Sequence, residues 1–313
     1  MSKYNTIYRS ALVLVFLFLS INSFAGNRSG TVAEQFLKIP TDARIVGLGG
    51  SFAAVAEGVS SLAQNPGGLM SIENIGFSAT YTPWFANIQH SFIGAAIRME
   101  DFGVFGAGIT MLATDDMAVT TVHYPEGNGQ YFRAADYAMH LAYARNISDK
   151  FSVGIAGKYI YSSLYNNVVT ASSFAFDIGS MYDMPEIRTR LGVALTNLGD
   201  DVQFLNEPYS LPTALRFGAA LTLFQENETQ LLSTVQVARP NDADEQYNAG
   251  FEYTVNETFT LRGGYKFAYE VEDFTGGFGV GLHSIGFNGT LQYGYNNFKV
   301  LPGTHTVTFE MNF

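Results

Sequence analysis

No cysteine occurs in the 313 residues, which excludes disulfides, thiol catalysis and thiolate metal sites. An exported chain without disulfides must draw its stability from closure and packing. Charge is scarce as well. Asp, Glu, Lys and Arg make up 14% of the chain, against roughly 25% in ordinary soluble domains, too little to cover the surface of a soluble molecule of this size. Basic residues are the scarcer sign, 17 against 28 acidic. Leaving aside Lys3 and Arg9 of the leader described below, 15 remain and the net charge is −13. Nucleic acid is thereby excluded as a natural partner. No apolar run approaches the roughly 20 residues of a membrane-spanning helix. What the chain does have is aromatics, 14% of its residues, and alternation.

The alternation is cleanest at the C-terminus. His305, Val307, Phe309, Met311 and Phe313 fall on one face, and Thr306, Thr308, Glu310 and Asn312 on the other. A strand that presents hydrocarbon to lipid on one face must belong to a closed barrel, because lipid cannot satisfy an open backbone edge. The N-terminus points to the same compartment. Lys3 and Arg9 precede the apolar stretch 11–19, and Ser23 and Ala25 flank Phe24 in a small-residue cleavage pattern. We read residues 1–25 as a secretory signal peptide cut after Ala25, with an apolar core too short to span a membrane.

Strand-like segments recur near 76–83, 91–99, 103–113, 116–123, 135–145, 151–163, 173–183, 190–198, 213–223, 230–238, 246–255, 258–269, 274–295 as a hairpin, and 304–313. The short 116–123 segment is the one to read as a loop. That leaves about fourteen strands, an even number of the kind bacterial barrels adopt. The sequence therefore predicts an all-β protein, a transmembrane antiparallel barrel over 76–313, with residues 26–75 as a helical or irregular plug.

Alternation also assigns the faces. Phe151, Val153, Ile155, Tyr159 and Tyr161 point outward, as do Leu215, Phe217, Ala219, Leu221 and Leu223, and Phe259, Leu261, Tyr265 and Phe267. The lumen register carries Arg98, His140, Lys158, Asp177, Arg190, Arg216, Glu252, Arg262, Lys266, His283 and Glu310. Their mixed signs predict internal pairing rather than a selective pore. A soluble β-sandwich also alternates, but it needs a more charged exterior than this one.

Lumen positions are rich in small residues, among them Gly154, Ala156, Gly192, Ala194, Gly218, Gly279 and Gly281. Such a wall leaves space for something else, and 26–75 is the segment to fill it. Within it the run DARIVGLGGSFAAVAEGVSSLAQNPGGL at 42–69 suggests a short helix at 51–59, possible hinges at Gly47, Gly49 and Gly50, and a breaker at Asn65, Pro66, Gly67 and Gly68. Its apolar side chains Phe36, Leu37, Ile39, Leu48, Phe52 and Leu62 are candidates either for contacting an apolar ligand or simply for packing on the wall. Gly47-x-Gly49-Gly50 lacks the strand before it and the Lys-Ser/Thr after it that a phosphate loop requires.

No nucleophile elbow, zinc-protease motif or calcium-loop spacing is present, so neither an enzyme nor a cofactor is expected. His140 and His283 are the faintest of catalytic candidates. Asp115-Asp116 and Asp242-x-Asp244-Glu245 read as solvated turns rather than calcium loops. Trp84, with Tyr81 and Phe85, reads as an interfacial aromatic anchor.

The segment EQFLKIPTDARIVGLGGSFAAVAEGVSSLAQNPGGL at 34–69 resembles the N-terminal signature of the PorV/PorQ family. Downstream, YTPW at 81–84, DYAMHLAYAR at 136–145 with FSVG at 151–154, and NLG at 197–199 followed by LPT at 211–213 resemble the same family in the same order. The resemblance implies an outer-membrane barrel of the FadL-like type with an N-terminal hatch. It further implies a non-enzymatic accessory of type IX secretion, with exported cargo and translocon or attachment-complex proteins as partners. The competing implication of the wider FadL-like class is uptake of a hydrophobic small molecule.

Overall fold

The computed structural model describes residues 30–165, 168–205, 207–283 and 286–313; the expected signal peptide lies outside them. Fourteen strands form the wall: β1 (Ile75–Pro83), β2 (Gln89–Met99), β3 (Gly103–Ala113), β4 (Ala135–Ser148), β5 (Phe151–Ser163), β6 (Thr170–Met184), β7 (Thr189–Gly199), β8 (Ala214–Glu226), β9 (Thr229–Pro240), β10 (Gln246–Val255), β11 (Phe259–Phe267), β12 (Glu272–Gly281), β13 (Gly289–Phe298) and β14 (Thr304–Asn312). Each pairs antiparallel with its sequence neighbours, and β1 pairs with β14 from Gly76 opposite Asn312 to Tyr81 opposite Val307. No wall edge is left open, as lipid requires. The 116–123 segment is a loop: only Met117–Ala118 is extended, paired with Tyr131–Phe132. Val202–Phe204 and Glu207–Tyr209 form a second small ribbon.

The side-chain period of two decides what meets lipid. Along β6 exposed and buried residues alternate almost without interruption, Phe174, Phe176 and Ile178 outward and Ser173, Ala175 and Asp177 inward. The outward residues expected on β5, β8 and β11 all lie on the partly or fully exposed face. At the upper rim Trp84, Phe85 and Phe298 form an aromatic cluster, the Phe85 and Phe298 rings 4.8 Å apart edge to face.

Connections at the rim that carries both ends of the wall are short, for example residues 149–150 and 227–228, whereas the opposite rim carries 114–134 and 200–213. Short turns face the periplasm and long loops the outside in such barrels, which orients the molecule. Inside lies the hatch, residues 30–74. It has one short helix, α1 (Ala43–Gly47), and 3-10 turns at Gln35–Lys38, Val59–Ala63 and Pro66–Ser71. The expected helix at 51–59 does not form. Gly49 and Gly50 adopt positive φ (71° and 76°), as does Gly58 (67°), and these left-handed residues confine 51–57 to turns. The helix starts earlier because Asp42 caps it, its Oδ1 accepting from Arg44 N at 2.8 Å.

Phe251 points outward near the middle of β10 and is 54% exposed. Phe251→Arg is expected to cost about 2–4 kcal/mol, measured as a lowered urea midpoint in lipid vesicles; an unchanged midpoint would contradict the assigned lipid face.

Candidate functional site

The hatch meets the wall first through main chain against glycine. A Cβ added to Gly192 would lie 1.8 Å from the Ala53 carbonyl oxygen, one on Gly179 2.0 Å from Asn65 Oδ1, and one on Gly264 2.3 Å from Gly49 N. Any side chain at these wall positions would push the hatch away. Polar wall residues then satisfy hatch amides. Gln236 Oε1 accepts from Phe52 N (3.0 Å) and Ala53 N (2.9 Å), and Thr275 Oγ1 from Gly49 N (3.0 Å). Asn65 donates to Ala53 O (2.6 Å) and Ser180 O (3.2 Å), so the expected breaker at Asn65, Pro66, Gly67 and Gly68 is an anchored turn.

Three separate apolar seats hold the six hatch side chains singled out from sequence. Phe36, with Leu37 and Ile39, packs beneath the long-loop rim against Ile160, Ala175, Val202 and Leu211. Leu48 and Phe52 pack with Ile45, Val55 and Ala220. Leu62 joins Val59, Leu69, Phe92 and Val104. They do not converge on one pocket. Gly47 ends α1, and its added Cβ would lie 3.1 Å from Arg262 Cβ.

Ion pairing supplies the polar seat. Arg44 lies on α1. Its Nε and Nη2 donate to Glu252 Oε2 and Oε1, both at 2.8 Å, and its Nη1 donates to Glu57 Oε2 at 2.7 Å. Glu252 also accepts from Arg262 Nε at 2.6 Å, and Glu57 from Arg190, which donates to Asp183 at 2.6 Å. The hatch is thus clamped between β10–β11 and β6–β7 by charge-assisted bonds. Burial alone would raise the Glu57 carboxyl, but Arg44 and Arg190 outweigh it and hold its pKa below the usual value. Burial would lower the Arg44 pKa, yet Glu252 and Glu57 drive it above its usual value.

Of the expected lumen charges, Lys158 pairs with Asp177 at 2.6 Å and Lys266 with Glu272 at 2.5 Å. Arg98 donates to the hatch carbonyls of Ile72 (2.6 Å) and Met70 (2.7 Å). Arg216 donates to Thr196 Oγ1 at 2.7 Å and lies 4.9 Å over the Phe52 ring. His140 bonds Thr110 at 3.0 Å, and Glu310 accepts from Val59 N at 3.2 Å. His283 departs from the expected lumen register, since β12 ends at Gly281 and leaves it exposed in the turn. Asp242 departs in the other direction: it is buried and binds Lys38 and Gln35, so this part of the acidic turn anchors the hatch.

Arg44, Glu57 and Glu34 escaped the sequence reading. The only signal for Arg44 was a lone cation within a run of small and apolar residues, and its partner Glu252 lies 208 positions away. Glu34 sits at the upper end of the hatch, where Ser162 Oγ contacts its two oxygens at 2.8 and 2.9 Å. Beside it, Ala33 N donates to Ser210 O at 3.0 Å, tying the hatch to the 200–213 loop. At the opposite rim a polar cavity of about 310 Å³ opens between hatch and wall, lined among others by Arg44, Glu57, Glu252, Arg262, Gln292 and Glu310.

Two outcomes follow from this geometry. Arg44→Ala is expected to cost about 3 kcal/mol of hatch seating, read as protease cleavage within 42–58 at lower urea while the barrel stays folded; an unmoved cleavage profile would contradict the clamp. Burial, then the neighbouring Asp136, push the Glu34 pKa from 4.5 up to about 7, against the lowering pull of Ser162. A carboxyl raised in the folded state contributes stability that is full below pH 4.5 and lost as pH rises through about 7. Hydrogen exchange at 32–38 is expected to quicken across that window, and Glu34→Gln to abolish the change.

The Type IX secretion system protein PorV family model matches residues 22–240. No curated protein sequence matches the chain. Among solved structures, the Pseudomonas putida toluene transporter TodX is similar with a TM-score of 0.63 at 13% identity, covering 87% of this chain and 98% of that one. The Ralstonia pickettii toluene transporter TbuX gives 0.59 at 17% identity, with 87% and 98% covered. A Pseudomonas aeruginosa FadL homologue gives 0.57 at 9% identity, again with 87% and 98% covered. These likenesses establish a FadL-like barrel fold. With a family match over most of its length and a closed fourteen-strand wall, the chain belongs to the PorV family of outer-membrane β-barrel proteins.

Proposed function

We propose that this protein is a non-enzymatic accessory of type IX protein export and surface attachment, acting at the outer membrane through protein–protein contacts. The family match carries the reading. The geometry is in keeping with it. The described hatch is fixed to the wall by glycine contacts, three apolar seats and the Arg44 clamp, an arrangement suited to a closed platform. The long-loop rim meanwhile presents two small ribbons and exposed apolar side chains, Val122 at 96% and Leu205 at 78% exposure, with Tyr124, Tyr131 and Tyr209. Exposed apolar patches of this kind are surfaces for partners. Exported cargo and translocon or attachment-complex proteins are the partners we assign to it.

One observation favours a second reading, uptake of hydrophobic small molecules. The seat of Phe36, Leu37 and Ile39 is apolar and lies directly under the outer rim, where a ligand would arrive.

Affinity purification of the tagged protein from gently solubilised native outer membranes separates the two. Co-purification of secretion-translocon subunits or exported cargo is expected, and is expected to fall when Val122 and Leu205 are both changed to Asp. Recovery of the barrel alone, carrying a bound apolar molecule, would overturn the export assignment in favour of uptake.

A further inference from the structure

We propose that the polar cavity at the short-turn rim is a binding site for a small zwitterion carrying surplus positive charge, such as a basic amino acid. The inference goes beyond the export reading and does not depend on it. At about 310 Å³ the cavity is at the lower end of the ~300–1,000 Å³ range of ligand pockets. It lies between the hatch, which contributes Asp42, Arg44 and Glu57, and strands β10 to β14.

Its unpartnered atoms define what it would accept. Arg262 spends its Nε on Glu252, but its Nη1 is buried with no hydrogen-bond partner. Gln292 Oε1 and Asn312 Oδ1, on the same cavity, are acceptors without a donor. Buried polar atoms left in this state are costly and call for a partner. A carboxylate would satisfy Arg262, and an ammonium would satisfy the two amide oxygens. The space for the carboxylate is open because Gly279 lies over the guanidinium: a Cβ there would sit 3.1 Å from Nη1 and 3.3 Å from Nη2. The remaining balance is acidic, with Asp42, Glu57, Glu252, Glu257 and Glu310 against Arg44 and Arg262. A second positive charge on the ligand is therefore favoured, which selects a basic zwitterion over a neutral one and rejects a simple anion. Because hatch and wall share the cavity, an occupant would bridge the two.

Isothermal titration of L-lysine into the full-length protein in detergent micelles tests this, with L-lysine methyl ester and magnesium chloride as comparison probes. Gly279→Ala fills the carboxylate space and keeps every charge; Gln292→Leu removes one acceptor. Heat-modifiable mobility in electrophoresis verifies that both variants are folded. The expected result is saturable lysine binding, weakened at least about tenfold in each variant and with the methyl ester. Absence of saturable heat up to ~10 mM lysine, equal binding in wild type and both folded variants, or an ester that binds as well as lysine would each overturn the proposal. Displacement of lysine by magnesium at equal concentration would also overturn it, by making the cavity a site for a bare cation.

Discussion

The close approach of hatch main chain to wall glycines is the contact on which the rest of the structure depends. Gly154, Gly179, Gly192, Gly250 and Gly264 lie on the inner face, each so near the hatch that a methyl group would overlap its backbone or a short side chain. Removing side chains from the wall lets an irregular segment come within hydrogen-bonding reach of Gln236, Thr275 and Asn248, whose side chains satisfy backbone groups that a segment without regular structure leaves unpaired. The hatch thus needs no extensive secondary structure of its own. A five-residue helix and three short turns suffice because the wall completes their hydrogen bonding.

The two ends of the lumen differ in chemistry. Towards the long-loop rim the hatch is held by apolar packing around Phe36 and by a single strand-like contact with the 200–213 loop. Towards the short-turn rim it is held by the Arg44 cluster and bordered by a water-accessible polar cavity. Buried ion pairs give up hydration that their attraction only partly restores. Their value here lies in fixing position: Arg44 can satisfy Glu252 and Glu57 together only with the hatch in one place. The apolar seat tolerates sliding more readily, since dispersion contacts are not directional.

Strand number, strand faces and the internal hatch were legible because they rest on local periodicity. β6 and β14 alternate without needing any distant partner, and a small-residue inner face implied an occupant. The hatch interior was less legible. Ser51 to Val59 has helix-compatible residues, but the left-handed Gly49, Gly50 and Gly58 and the cap from Asp42 place the helix at Ala43–Gly47. Asp242 resembled a solvated turn because its partners, Lys38 and Gln35, are more than two hundred positions away. The Arg44 clamp was hidden for the same reason. His283 followed the alternation past the point where β12 stops, a boundary that periodicity alone does not mark.

The central claim is that the hatch resides in the lumen, fixed against the wall, in the membrane itself. Ser51 Oγ and Thr234 Oγ1 lie 2.8 Å apart across that boundary, and the native chain has no cysteine to interfere. The direct measurement is disulfide formation in a Ser51→Cys, Thr234→Cys variant under mild oxidation in intact outer membranes, with cleavage between 51 and 234 to reveal the link. Near-complete cross-linking within one chain is the predicted result. Free thiols at both positions in a folded barrel would contradict the account, because they would place the hatch elsewhere.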